Sequence, residues 1–330
     1  MKALVYTGPE TVVYCDEPEP VLNAGEVVIR IDAAGICGSD MHAYHGHDPR
    51  RVPPLILGHE LAGEIVAGPG TGTRVTVNPL ITCGHCEFCV QGRNNLCANR
   101  SMVGMSRPGA FAQYMSIPTA SLIELPGDMT TRQAALTEPA GTALHALHLS
   151  MRALARPVAE AKVLVIGAGA VGLLSALLLR SYGCRQLQMA EVNPLRRAAA
   201  ERHTDYQGYD PLQQSGPVDS SIDFVLDAVG SKDTRHAALA AVKPGGVVMH
   251  IGLQHGASEI DMRKLTLAEI TLLGTYTYTT ADLRATVQAL HEGAFGDLSW
   301  VEERGLADGG RAFKDLDRGR LAAAKVLLLP

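Results

Sequence analysis

The stretch AKVLVIGAGAVGLLSALLL, residues 161–179, constrains the fold of this chain more than any other. Its apolar start, VLVI, reads as a buried strand. Gly167, Gly169 and Gly172 follow at G-x-G-x-x-G spacing, with Ala170 and Val171 between the last two, and the run then continues as an apolar helix. Glu191 closes the next strand-like run, LQMAEVNP, about 20 residues past the last glycine, the spacing of a dinucleotide-binding βαβ unit. The glycines let the backbone approach a pyrophosphate, and the helix start offers free N–H groups and partial positive charge. Glu191 can accept hydrogen bonds from both ribose hydroxyls, and a 2′-phosphate there would meet a like charge, so NAD is expected ahead of NADP. Arg196 and Arg197 moderate that preference, because an arginine there could pair with a phosphate; a solvated helix face is the plainer use.

The same stretch could be mistaken for a membrane span, since Val163 to Leu179 carries no charge. A lipid-spanning helix needs about 20 apolar residues, and three glycines interrupt this run. Further strand signals follow in IDFVLDAVG (222–230), VKPGGVVMHIGL (242–253) and ITLLGTY (270–276), so a doubly wound parallel sheet is expected. Residues before about 140 are short strands broken by Gly and Pro, which predicts a separate β-rich domain. Two domains also suit a chain of 330 residues. Its net charge of −5 gives no electrostatic case for nucleic acid or an anionic membrane. The N-terminus reads as a strand and turn with no export signal, so a cytoplasmic location with reduced thiols is expected.

Four thiols fall within fifteen residues of CGHCEFCVQGRNNLC: Cys83, Cys86, Cys89 and Cys97. Gly84 and Gly92 supply turns, and a thiolate quartet so spaced can wrap one structural zinc ion. The bacterial iron–sulfur run needs C-x3-C-P after its first three cysteines, whereas here the fourth comes late and Ala98 follows it. A redox C-x-x-C belongs at a strand-to-helix junction rather than in a four-fold cluster.

A second potential metal set is more scattered. Cys37 lies in AAGICGSDMHAYHGH, His59 and Glu60 in PLILGHELAGEI, and Glu138 in LTEPAG. Cysteine, histidine and carboxylate are all zinc ligands, and a catalytic zinc takes three of them plus water. Alone, each residue has a plainer use: a small buried hydrophobe, a surface pair. Gly35, Gly38, Gly58 and Gly63 suggest tight strand ends around Cys37 and His59 rather than helices. His42, His45, His47, His145 and His148 read as polar filling or as partners of the ligands.

In the order GICGSD, LGHE, clustered cysteines, TEPA, GxGxxG and KPGG, the chain resembles the zinc-dependent medium-chain dehydrogenase/reductase superfamily along essentially its full length. Within it, GICGSDMHAY, GHE and the EP dipeptide are similar to the polyol branch of sorbitol, galactitol-phosphate, threonine and butanediol dehydrogenases. The resemblance implies an α/β fold: a GroES-like β-rich catalytic domain of residues 1–141 and 277–330, and a Rossmann NAD-binding domain of residues 142–276. It implies two zinc ions per chain and hydride transfer between a secondary alcohol of a polyol or sugar derivative and NAD. Cys37, His59 and Glu60 would hold the catalytic zinc, and Glu138 would contact its water or the metal itself. Ser39 and His42 match the segment that passes protons near the cofactor ribose. Sorbitol dehydrogenases carry an Arg-Tyr pair where this chain has Thr277-Tyr278, which puts sorbitol in doubt and leaves Tyr278 among the expected catalytic residues. The partner implied is a small alcohol, within a homodimer or homotetramer.

The competing expectation is a nucleotide-binding protein or redox sensor with only a structural zinc, which would have no use for Cys37, His59 and Glu60. Arg50 and Arg51 could meet an anionic substrate, with a solvated loop as the plainer reading, and Cys15 and Cys184 read as buried apolar residues.

Overall fold

A computed structural model describes residues 1–330. Six parallel strands form one sheet, in the spatial order Gln207–Tyr209, Gln186–Ala190, Lys162–Ile166, Ile222–Asp227, Val242–His250, Thr271–Gly274. Counted along the chain this is 3-2-1-4-5-6, so the direction of winding reverses beside Lys162–Ile166, where doubly wound sheets bind ligands. The apolar run of that strand follows from burial on both faces. Val163 and Val165 point into the largest core, while Leu164 and Ile166 point into a smaller core on the opposite face. The glycine turn then leads into helix Ala170–Ser181. No helix is long and apolar enough to cross a membrane.

The β-rich part is built on a mixed seven-stranded sheet in which Glu26–Gly35 is central. That strand pairs antiparallel with Glu60–Ala67, Tyr114–Pro118 and Lys325–Leu329. Lys325–Leu329 also runs parallel to Val301–Gly305, so residues beyond 300 return to complete this sheet. Its core is a second cluster of 29 buried residues, including Ile29, Ile65, Phe111, Ile117 and Leu328. Helix Thr137–Ala153 bridges the two parts, packing on Ala170–Ser181 and on helix Thr280–His291.

One local expectation fails. The Cys37 segment is not a strand end alone: Cys37 caps a short helix, Gly38–Tyr44. The cause is Asp40, whose Oδ2 accepts from the Cys37 N–H at 3.0 Å, a capping box that starts a helix where the flanking glycines suggested only a turn.

Candidate active site

Strand Glu26–Gly35 delivers Cys37 just beyond its end, and strand Glu60–Ala67 begins beside it with His59 and Glu60. One donor atom from each of Cys37, His59 and Glu60 lies within 4.8 Å of the others. Gly35 makes this possible: a Cβ there would sit 2.0 Å from Glu60 Oε2. His59 and Glu60 are buried and Cys37 is half-buried. Asp40 Oδ1 faces His59 Nδ1 at 3.5 Å and Arg51 Nη2 at 3.6 Å, and neither Asp40 Oδ1 nor His59 Nδ1 has a closer hydrogen-bond partner. A carboxylate behind one ring nitrogen fixes a proton there and leaves the other nitrogen's lone pair for a metal. Burial opposes charge on His59, but the Asp40 and Cys37 charges outweigh it and raise the imidazole well above its ordinary value. For Asp40, burial is likewise overcome by His59 and Arg51, and its carboxyl is held low.

Lys325 reaches in from the returning strand. Its Nζ donates to both Glu60 oxygens at 2.6 Å and to Ile36 O at 2.8 Å, with all of these groups buried. Burial opposes its charge, and Glu60 and Cys37 more than restore it. Glu138 lies in the first turn of helix Thr137–Ala153 and is buried. Burial pushes its carboxyl up to about 7, against the His59 charge and with the help of Glu60. The hydroxyl of fully buried Tyr278 donates to Glu138 Oε1 at 2.8 Å, and that phenol is itself held well above the ordinary range by burial and by Glu138.

Except for Asp40 and Tyr278, which stand behind it, these groups line one cleft of about 350 Å³ between the two parts. Cys37, Ser39, His59, Glu60, Glu138 and Lys325 stand on one wall; Gly169, Ala170, Val171 and Gly172 stand on the other. Gly172 is packed so tightly that a Cβ would fall 1.9 Å from Gly167 O. Glu191 lies just past strand Gln186–Ala190, outside the lining of this cleft. Its Oε2 accepts from the Ala168 N–H and its Oε1 from the Asn193 N–H, both at 2.8 Å, so it fastens the glycine turn to the neighbouring strand end. Arg196 is half-buried and its Nε has no partner, while Arg197 donates to Glu191 O at 2.7 Å, so this is not a freely solvated helix face.

Ser39 Oγ lies 3.4 Å from His59 Nε2 and accepts from Arg51 at 3.1 Å. His42 is half-buried outside the cleft lining, its imidazole held low by burial and by His47. The solvated loop expected of Arg50 and Arg51 holds for Arg50 alone, whose side chain is 61% exposed at the cleft. Arg51 is fully buried, bonded to Asp48 at 2.7 Å and to the carbonyls of Ser39 and Gly104, because those acceptors need a donor where water cannot reach. Asp48, bonded first to Arg50 and then to Arg51, is held at about 2. His145 and His148 both contact Asp282, at 2.8 and 3.1 Å, away from the donors. Cys184 is buried, but Cys15 is only half-buried, on an outer strand.

Cys83, Cys86, Cys89 and Cys97 also converge, with every sulfur within 4.8 Å of the rest. The Cys83–Cys97 and Cys83–Cys89 sulfurs are 3.6 and 3.9 Å apart. Four sulfurs at about 2.3 Å from a central zinc would be about 3.8 Å from each other, so the quartet fits a closed tetrahedral site. Asp40 and Lys325 are not singled out by the sequence, and Arg51 stands there only as a solvated or substrate-facing residue rather than a buried one. Lys325 left one trace, a lone charge opening the apolar strand KVLLL.

Residues 23–127 match the alcohol dehydrogenase GroES-like domain, and residues 170–292 match the zinc-binding dehydrogenase domain. The chain is 31% identical to the L-threonine 3-dehydrogenase of Shewanella sp. (strain W3-18-1) over 293 residues, 84% of each chain. Galactitol-1-phosphate dehydrogenase from Escherichia coli superposes over 100% of both chains with a TM-score of 0.90 and 25% identity. A zinc-binding dehydrogenase from Sinorhizobium meliloti 1021, bound to NADP, covers 100% of this chain and 99% of its own, with a TM-score of 0.87 and 28% identity. With a GroES-like β-rich part, a Rossmann sheet and two convergent donor sets, the chain belongs to the zinc-dependent medium-chain dehydrogenase/reductase superfamily, in its polyol dehydrogenase branch.

Proposed function

We propose that this protein transfers a hydride between a secondary alcohol of a polyol or sugar derivative and NAD. The observation that carries this reading is the cluster of Cys37, His59 and Glu60 donors in the same cleft as the Gly169–Gly172 turn. A zinc ion held by those three side chains would act as a Lewis acid that lowers the pKa of an alcohol hydroxyl, and a nicotinamide bound beside it would take the hydride.

The chain's own residues then have distinct tasks. Lys325 offsets one of the two negative charges that Cys37 and Glu60 bring, which keeps the centre electron-poor. Glu138, a buried carboxyl that burial raises when no metal is bound, would take up the substrate proton at Oε2 while Tyr278 occupies Oε1. Glu138 lines the same cleft but stands outside the converging donors, so a contact with the metal or its water is what the resemblance implies for it. Ser39 and His42 would carry the proton on towards solvent past the ribose. Gly167, Gly169 and Gly172, with Ala170 and Val171, would receive the pyrophosphate, and Glu191 the ribose, with Arg196 beside it. NAD is favoured over NADP because Glu191 would repel a 2′-phosphate. Cys83, Cys86, Cys89 and Cys97 would hold a second, structural zinc. Residues 1–141 and 277–330 would form the catalytic domain and residues 142–276 the cofactor domain.

A homodimer or homotetramer in the cytoplasm completes the reading. Strand Thr271–Gly274 supports it, as the outermost strand of the parallel sheet with Leu272 exposed. The test is a panel of secondary alcohols, polyols and sugar acids assayed with zinc-loaded protein and NAD, read as reduced-nicotinamide absorbance. Turnover of a polyol or sugar derivative supports the proposal. Failure of every alcohol in the panel rejects it.

A further inference from the structure

Residues 276–280 connect the outermost strand of the parallel sheet to helix Thr280–His291, and the four-cysteine lobe grips them with side chains. Asn95 Nδ2 donates to Tyr276 O at 2.8 Å. Asn94 Nδ2 donates to Thr280 Oγ1 at 3.0 Å, and its Oδ1 accepts from the Thr280 N–H at 3.1 Å. Asn78, outside the lobe, donates to the same Thr280 hydroxyl at 3.0 Å. The Arg100 guanidinium lies 4.6 Å from the centre of the Tyr276 ring.

Two further observations indicate what this grip accomplishes. Thr277, between the gripped points, has φ +47°, a left-handed conformation that a β-branched residue adopts only when its surroundings impose it. The next residue is Tyr278, whose hydroxyl meets Glu138. The lobe itself is thinly packed. Across residues 83–97 only Asn95 and Cys97 are buried. A buried asparagine costs stability unless its amide is bonded, and Asn95 bonds across to Tyr276 rather than within its own loop.

We propose that Asn94 and Asn95 are positioning residues for the reaction. They hold 276–280 in the strained path that sets Tyr278 Oη against Glu138, so the four-cysteine lobe works as a buttress for the proton-handling carboxylate. This rests on the role given to Glu138 above. Asn94 acts through Thr280, and Asn95 through the carbonyl of Tyr276, which lines the cleft; neither asparagine lines it itself.

The test uses the full-length, zinc-loaded protein with Asn94→Ala, Asn94→Asp and Thr280→Val. Amide hydrogen exchange is followed at 276–280, with strand Ile222–Asp227 as the internal reference, and steady-state kinetics are measured with the best alcohol of the panel. Asn94→Ala is expected to speed exchange at 276–280 about tenfold while the reference strand is unchanged. Its kcat is expected to fall about tenfold or more, with KM for the alcohol within about twofold, because misplacement of a catalytic group acts on the chemical step. Asn94→Asp keeps acceptors for both the N–H and the hydroxyl of Thr280 and should stay close to the parent. Thr280→Val removes the shared hydroxyl without touching the lobe and should reproduce the loss even if Asn94→Ala folds poorly. Unchanged exchange at 276–280 in both disruptive variants overturns the proposal. So does faster exchange with undiminished kcat, or an Asn94→Asp protein as impaired as Asn94→Ala. If the parent turns over no alcohol, the functional reading falls, while the exchange arm still judges the grip by itself.

Discussion

The Lys325 ammonium sits 2.6 Å from each oxygen of the Glu60 carboxylate, and the two residues are 265 positions apart in the chain. Both are buried, so each is the other's principal countercharge when no metal is bound. Removing one partner of such a pair leaves a charge in a medium that solvates it poorly.

Lys325→Met is therefore expected to destabilise the chelator-treated protein by about 3–5 kcal/mol. Glu60→Gln added to it should recover a substantial part of that loss, because the orphaned charge is gone. Urea denaturation of the parent, both single variants and the double variant gives the coupling directly. Additive losses would rule out a direct pair.

The pH dependence of stability should report Glu138. Its folded carboxyl, at about 7, lies above the ordinary value for Glu of about 4.3. The folded state then holds its proton more tightly than the unfolded state, so stability falls as pH rises through this window and levels off above the folded value. Metal-free parent protein should lose on the order of 3 kcal/mol relative to Glu138→Gln between about pH 4 and pH 8. The amide keeps an acceptor for Tyr278. A difference between the two proteins that does not vary with pH would contradict the account.

Metal content separates the two donor sets. The parent should carry about two zinc ions per chain and Cys89→Ser about one, since an interrupted quartet loses the closed geometry that makes structural sites tight. The lobe has almost no buried core, so Cys89→Ser should also show faster proteolysis within residues 83–97. Elemental analysis of the purified proteins decides the count, and an unchanged value for Cys89→Ser would remove the quartet from consideration.

Glu191 carries two duties that substitution can separate. Glu191→Gln loses the charge but keeps an acceptor for only one of the two backbone N–H groups, and should raise the preference for NADP relative to NAD by about tenfold, equivalent to about 1.4 kcal/mol, at a small cost in stability. Glu191→Ala loses the ties to both the Ala168 and Asn193 amides, and should lower the melting temperature further than Glu191→Gln does. Cofactor KM ratios and thermal denaturation measure the two effects independently.

How much of this was legible beforehand depends on distance along the chain. The glycine turn, its flanking strand and helix, and Glu191 lie within about 30 consecutive residues, and local pattern is enough to place them. The cysteine quartet is likewise local. Cys37, His59 and Glu60 are candidates by donor chemistry, but only resemblance joins them into one site, since no periodicity pairs a cysteine with a histidine 22 positions on. Partners set by sheet closure and helix packing were not legible. Tyr278 meets Glu138 across 140 residues, and Lys325 meets Glu60 across 265. The burial of Arg51 was hidden for the same reason. An arginine pair before a proline-rich strand looks solvated until the carbonyls of Ser39 and Gly104 are seen to enclose one of the two.

The returning strand has a consequence for biosynthesis. At about 5–20 residues per second, the ribosome adds Lys325 roughly 13–53 seconds after Glu60 has been joined to the growing polypeptide. Throughout that interval the nascent β-rich half contains an acid with nowhere dry to go. Its sheet cannot seal around residue 60 until the late-arriving lysine docks, so this half closes long after most of its strands have been made.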